Sequence, residues 1–170
     1  MPDKFIQQVA GVLTEKQASN SSTGADDAGS IVALNDQGVI DTTMLPPGLG
    51  AATYSIVASQ NLLAGDYVNI WDDAGTAKVR KAEASDIGLK AHGYVLEAVT
   101  SGDNALVYTD FYNDQLSGLT PGVTYFLSPT APGEITATAP SGTDEIVQRL
   151  GVAVSATRLD VEISQPIVLA

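Results

Sequence analysis

From Tyr54 to the end of the sequence, short apolar runs are separated by turn signals, and this punctuation constrains the fold more than any other feature. The signals are Ala64-Gly65-Asp66, Asp72-Asp73-Ala74-Gly75, Ser101-Gly102-Asp103, Thr120-Pro121-Gly122 and Pro132-Gly133. Asp bonds its own backbone in turns, Gly supplies a positive φ, and Pro cannot join a central strand. The runs between them are strand-sized, at residues 54–58, 67–71, 77–80, 91–99 and 104–108, then 124–127, 134–138, 146–156, 158–163 and 167–169. Strands of this length and spacing predict an all-β fold, with a compact β-sandwich or small β-barrel as its body. Helix is expected only as a turn around 82–87 and a short segment inside 143–149.

Residues 1–50 read differently. Apolar patches at Phe5-Ile6, Val9, Val12-Leu13 and Ile31-Val32-Ala33-Leu34 are interrupted by a polar, small-residue stretch from Ala18 to Ser30, which has no periodicity that could bury anything. Asn35-Asp36-Gln37-Gly38, between Ile31 to Leu34 and Val39-Ile40, predicts a short hairpin. Met44-Leu45-Pro46-Pro47-Gly48-Leu49-Gly50 predicts an extended hinge, because paired prolines exclude a central strand. The expected organisation is an extended N-terminal arm over 1–50 and a β-domain over 51–170. An apolar arm with no core of its own is expected to become ordered on a partner, by wrapping it or by adding strands to a sheet edge.

Charge narrows the partners. Eight basic against twenty acidic residues give −12 at neutral pH, and the one basic cluster, Lys78, Arg80 and Lys81, is flanked by Asp72, Asp73, Glu83 and Asp86. Nucleic acid and anionic membrane surfaces both require clustered cations, so neither is expected as a partner. No apolar run approaches the ~20 residues of a membrane span, and Met1-Pro2-Asp3-Lys4 lacks a signal-peptide pattern. Synthesis in the cytoplasm is expected. With no cysteine, disulfides, thiolate metal sites and cysteine nucleophiles are excluded.

The candidate chemistry is sparse, and we expect neither catalytic residues nor metal ligands nor a cofactor. His92 has no nucleophile or orienting carboxylate nominated beside it. Asp26-Asp27, Asp72-Asp73 and Asp144-Glu145 sit in turns, where capping is expected over calcium binding. Trp71 and the tyrosines at 54, 67, 94, 108, 112 and 125 could form a sugar platform, but strand packing is the expectation.

The tracts Asp3-Lys4-Phe5-Ile6-Gln7-Gln8-Val9, Gly24-Ala25-Asp26-Asp27-Ala28-Gly29-Ser30-Ile31-Val32-Ala33-Leu34, Asn35-Asp36-Gln37-Gly38-Val39-Ile40-Asp41 and Met44-Leu45-Pro46 resemble the N-terminal region of structural proteins of tailed bacteriophages, both capsid decoration (cement) proteins and some tail fibre or spike proteins. The C-terminal half is similar to a β-module of the same virion proteins, through Gly118-Leu119-Thr120-Pro121-Gly122-Val123-Thr124-Tyr125-Phe126-Leu127-Ser128, Pro132-Gly133-Glu134-Ile135-Thr136 and Val147-Gln148-Arg149-Leu150-Gly151-Val152-Ala153-Val154-Ser155. The resemblance implies a non-enzymatic cement role on the outer surface of the head, with the major capsid protein and other copies of the chain as partners. Trimers are implied first, dimers second. On that reading Phe5, Ile6, Val9, Val12, Leu13, Ile31, Val32, Leu34, Met44 and Leu45 are the arm's anchors. A length of 170 residues is expected to leave no room for a complete fibre. The alternatives are a tail or fibre adaptor and, from another class, a carbohydrate-binding β-module.

Overall fold

A type I′ turn opens the chain. Ala10 and Gly11 both hold positive φ, 50° and 84°, the conformation whose twist matches two antiparallel strands. They join β1 (Lys4–Val9) to β2 (Val12–Gln17) in a six-pair ladder running from Lys4↔Gln17 to Val9↔Val12. The computed structural model describes residues 4–36, 38–45 and 52–170. It divides into two units, Met1–Gly50 and Ala51–Ala170.

The rest of the first unit is built from turns. Single 3-10 turns occur at Ala25–Asp27 and Thr42–Met44. The turn expected at 35–38 forms: Gly38 N–H donates to the Asn35 carbonyl, and the Asn35 side chain accepts from Val39 N–H at 3.2 Å. Its flanks do not run as a strand ladder. Ser19 bridges Val32 instead, donating to the Ile31 carbonyl and accepting from Ala33 N–H. The hairpin of this unit is therefore at 4–17, where a two-residue loop fixes the register. Of the expected hinge, only Met44 and Leu45 lie among the described residues, and Met44 ends a 3-10 turn.

The second unit is all-β. A closed five-stranded barrel runs in the order β3 (Thr53–Ala58), β5 (Thr76–Lys81), β4 (Tyr67–Asp73), β6 (Gly93–Tyr94), β7 (Asn104–Tyr108). The β3–β5 pairing is parallel and the others are antiparallel. Alternation puts Ala105 and Val107 inside and Asn104 and Leu106 outside, as period-two geometry requires. Ala58, Leu62, Val68, Val79 and Val95 complete this interior, and their modest size suits so narrow a barrel. A second type I′ turn, Ala74-Gly75, joins β4 to β5, and Asp72 caps it by accepting from Gly75 N–H at 3.0 Å. Gly93 is required where β6 meets β7, since a Cβ there would stand 2.5 Å from the Tyr108 carbonyl oxygen.

Beyond the barrel, β8 (Tyr112–Asn113), β9 (Thr124–Leu127), β10 (Ile135–Thr136), β12 (Arg149–Ala153) and β13 (Leu159–Val161) form an antiparallel sheet in the order β10-β9-β12-β13-β8. A separate pair joins β11 (Ile146–Val147) to β14 (Ile167–Val168). One core unites sheet and barrel: Tyr67, Ala82, Ala91 and Tyr94 pack against Leu127, Ile146, Leu150 and Leu159. Each fully buried Leu or Ile stabilises the fold by roughly 1.5–3 kcal/mol.

Three sequence expectations change here. The helical segment inside 143–149 is strand, because Ile146, Gln148 and Leu150 point inward at every second position. Gln148 supplies the reason: its buried amide accepts from Ala91 N–H at 2.8 Å and donates to the Ala91 and Ser164 carbonyls. The turn expected at 82–87 falls instead at Ile87–Leu89, capped by Asp86. The strand expected over 91–99 is in the ladder only at Gly93–Tyr94, after which the chain crosses to bridge Leu62 through Val99.

Candidate interaction surface

In the first unit no described residue is buried. The hairpin register shows why. Phe5, Val9 and Val12 share one face with Gln7, Thr14 and Lys16, while Ile6 and Leu13 share the other with Lys4, Gln8, Glu15 and Gln17. Both faces of the ribbon thus mix apolar and polar side chains, and neither is covered. Leu13 is 71% exposed and Ile6 65%, whereas Phe5 is half-buried. Ile31, Val32 and Leu34 lie outside any strand, each about half exposed. Ile31, Val32 and Met44 meet at one cavity of about 160 Å3, which Ser19 and Asp27 also line. Leu45 is exposed. Of the residues expected as anchors, Phe5, Ile6, Val9, Val12 and Leu13 lie on the hairpin and Ile31, Val32 and Met44 at this cavity, while Leu34 and Leu45 belong to neither group.

The polar groups of this unit serve its turns. Asp27 accepts from the Thr23 N–H at 2.6 Å and its hydroxyl at 3.0 Å, and the N–H bond in particular holds its carboxyl below the usual range. The Thr43 hydroxyl and N–H do the same for Asp41. Lys4 pairs with Glu15 across the ribbon, an exposed ion pair of the kind that contributes little.

On the second unit the aromatic residues separate into packed and displayed sets. Tyr67, Tyr94 and Tyr108 stack in sequence, with centroids 5.8 and 5.7 Å apart. Burial pushes all three phenols above their ordinary range. The Tyr94 hydroxyl donates to the Asp110 carbonyl at 2.7 Å. The Tyr67 hydroxyl is buried and makes no hydrogen bond among the described residues, although Asn113, whose amide donates to the Gly65 carbonyl, lies beside it. Trp71 is half-buried, carries the Arg80 guanidinium 5.0 Å above its ring and donates to Ser59 Oγ at 3.2 Å. Its face is thus already occupied. Tyr125 is buried and accepts from Thr120 N–H.

The displayed aromatics are Tyr54, exposed on β3, and a pair at the end of the five-stranded sheet. Phe111 is 54% exposed and holds φ at 73°, although it is not glycine. A bulky residue in that region costs about 1–3 kcal/mol, and such strain concentrates where a side chain must be presented. The backbone reason is visible: the Phe111 carbonyl accepts from Val161 N–H at 2.8 Å, which turns the chain into β8. Beside it Tyr112 is exposed, with the Arg158 guanidinium 5.3 Å from its ring. Aromatic residues and Arg are the types enriched at the centres of protein interfaces. Of Phe111, Tyr112 and Arg158, sequence reading singled out only Tyr112. A positive φ at Phe111 leaves no mark in the sequence, and Arg158 lies 46 positions away from Tyr112.

His92 has a structural assignment. Just before β6 begins, its Nδ1 accepts from Ile70 N–H at 2.9 Å and so continues the ladder along β4. Burial, and then the Lys90 charge, hold its pKa below the ordinary value. Asp66 and Lys81 form a largely buried pair at 2.9 Å, and Asp66 also accepts from Leu63 N–H at 2.7 Å. Comparison with protein-family models, curated proteins and solved structures gives no match to this chain.

Proposed function

We propose that this chain is a structural virion protein that decorates and cements a bacteriophage head. The reading rests on the resemblance of its N-terminal and C-terminal tracts to those of phage structural proteins. The observation that carries the mechanism is a first unit with no buried residue among those described, facing solvent with Ile6, Val9, Val12, Leu13, Ile31, Val32 and Leu34. Those side chains gain by being covered, at about 25 cal/mol per Å2 of apolar surface removed from water. The arm lies across neighbouring major capsid subunits, while the β-body sits on the outer surface of the head. Each contact is weak, and tethering makes the second binding event intramolecular, so cementing is avidity.

The test is co-sedimentation of the full chain and a chain lacking residues 1–50 with expanded heads. The full chain should bind in hundreds of copies, and the truncated body should lose at least tenfold in affinity. Equal binding by both would refute the clamp. A handful of copies per particle would assign the chain to the tail.

A further inference from the structure

The hairpin and the five-stranded sheet each end in an open backbone edge, and the two edges match. In β1 the two-residue turn makes Val9↔Val12 a hydrogen-bonded pair, so Phe5, Gln7 and Val9 direct their backbone groups to β2. Lys4, Ile6 and Gln8 direct theirs outward. At the other end, β8 is the last strand of its sheet. Val161 N–H bonds the Phe111 carbonyl and Leu159 pairs with Asn113, so both flanks of Tyr112 face β13. The N–H and C=O of Tyr112 point to the open side and have no hydrogen-bond partner among the described residues.

We propose that β1 of one copy adds to β8 of a second copy, with Ile6 set beside Tyr112 and the hairpin covering Phe111. Charge favours this occupant. The hairpin carries Lys4 and Lys16 against Glu15 and the preceding Asp3, a balanced stretch in a chain of net −12 that meets an acidic edge without the repulsion expected of the rest. The receiving edge is the acidic one, with Asp110, Asp114 and Asp160 around Arg158. Both partners, Ile6 and the Phe111–Tyr112 pair, are left exposed in the single chain. The contact is head-to-tail, since the donor surface differs from the acceptor, and copies linked this way form rings or rows. It goes beyond the cement reading and holds whatever surface carries the copies.

The chain has no cysteine, which allows a direct test. Ile6→Cys and Tyr112→Cys are prepared as separate full-length proteins, mixed and oxidised. A mixed disulfide dimer in excess over both homodimers is expected. Homodimers alone, or no cross-link, would overturn the pairing. A chain bearing both cysteines that closes only on itself at every concentration would assign β8 to its own hairpin and also overturn it. Sedimentation velocity of Phe111→Gly supplies the second arm. Glycine accepts a φ of 73°, so its melting temperature should match or exceed the parent's while self-association falls at least tenfold. Undiminished association of the folded variant, or a parent that stays monomeric at the highest concentration, would remove the proposal.

Discussion

Two tyrosines with the same environment and opposite hydrogen bonding separate the two contributions a phenol makes to a core. Tyr67 and Tyr94 stack on each other, and both rings are fully buried. Among the described residues only Tyr94 has a partner for its hydroxyl, the Asp110 carbonyl. Removing a satisfied hydroxyl loses about 1 kcal/mol, whereas removing an unsatisfied one lifts a desolvation cost. Tyr94→Phe should therefore lower stability by about 1 kcal/mol, and Tyr67→Phe should leave it unchanged or raise it. Urea denaturation of the two variants checks this, and the reverse order would contradict the assignment. The same contrast explains why an aromatic inventory of the sequence finds the stack without ranking its members. Hydrogen-bond partners such as Asp110 come from a different part of the chain.

At the level of elements, ladders are completed by side chains where strands run out. His92 Nδ1 takes the place of a β6 carbonyl in bonding Ile70 N–H, which requires the neutral imidazole. Its folded pKa is depressed by burial, so the unfolded chain binds the proton more readily. The linkage sign follows: the stability from neutral His92 is fully present above the unfolded pKa of about 6.5 and is lost as pH falls through the folded value. Melting temperature measured from pH 7.5 to 5.5 should decline in the parent. The decline should be shallower in His92→Asn, whose carbonyl can accept the same bond without titrating. Equal slopes would exclude this role. Turn chemistry was legible because Asp, Asn, Gly and Pro act locally: the reversals at 35–38 and 72–75 fall where the residues place them. The 4–17 hairpin was not, since Ala10-Gly11 is a weak signal and the Asn35 turn a strong one. The strand over 146–156 was legible, but the helix expected inside 143–149 failed for a tertiary reason, the buried Gln148 amide holding Ala91 from the far side of the core.

Across the whole molecule, every buried residue among those described belongs to the second unit. A chain of residues 51–170 should consequently melt within about 2 °C of the full-length protein, as followed by circular dichroism, because truncation removes no core contact. A larger loss would mean that the arm supports the body. The anchors around Phe5 and Ile31 were legible as apolar patches without a core, but Phe111, which needs a positive φ and a distant Arg158 beside its neighbour, was not. The register of the barrel adds an order of events. Thr53 pairs with Tyr108, so the barrel cannot close until the chain has been made through β7. Synthesis runs from the N-terminus, so the 4–17 hairpin leaves the ribosome before this barrel can close. Nascent chains on one message would present arms to one another with nothing yet to receive them. A lone two-stranded hairpin is only marginally stable in water. On the proposed strand addition, that weakness defers pairing until folded bodies supply β8.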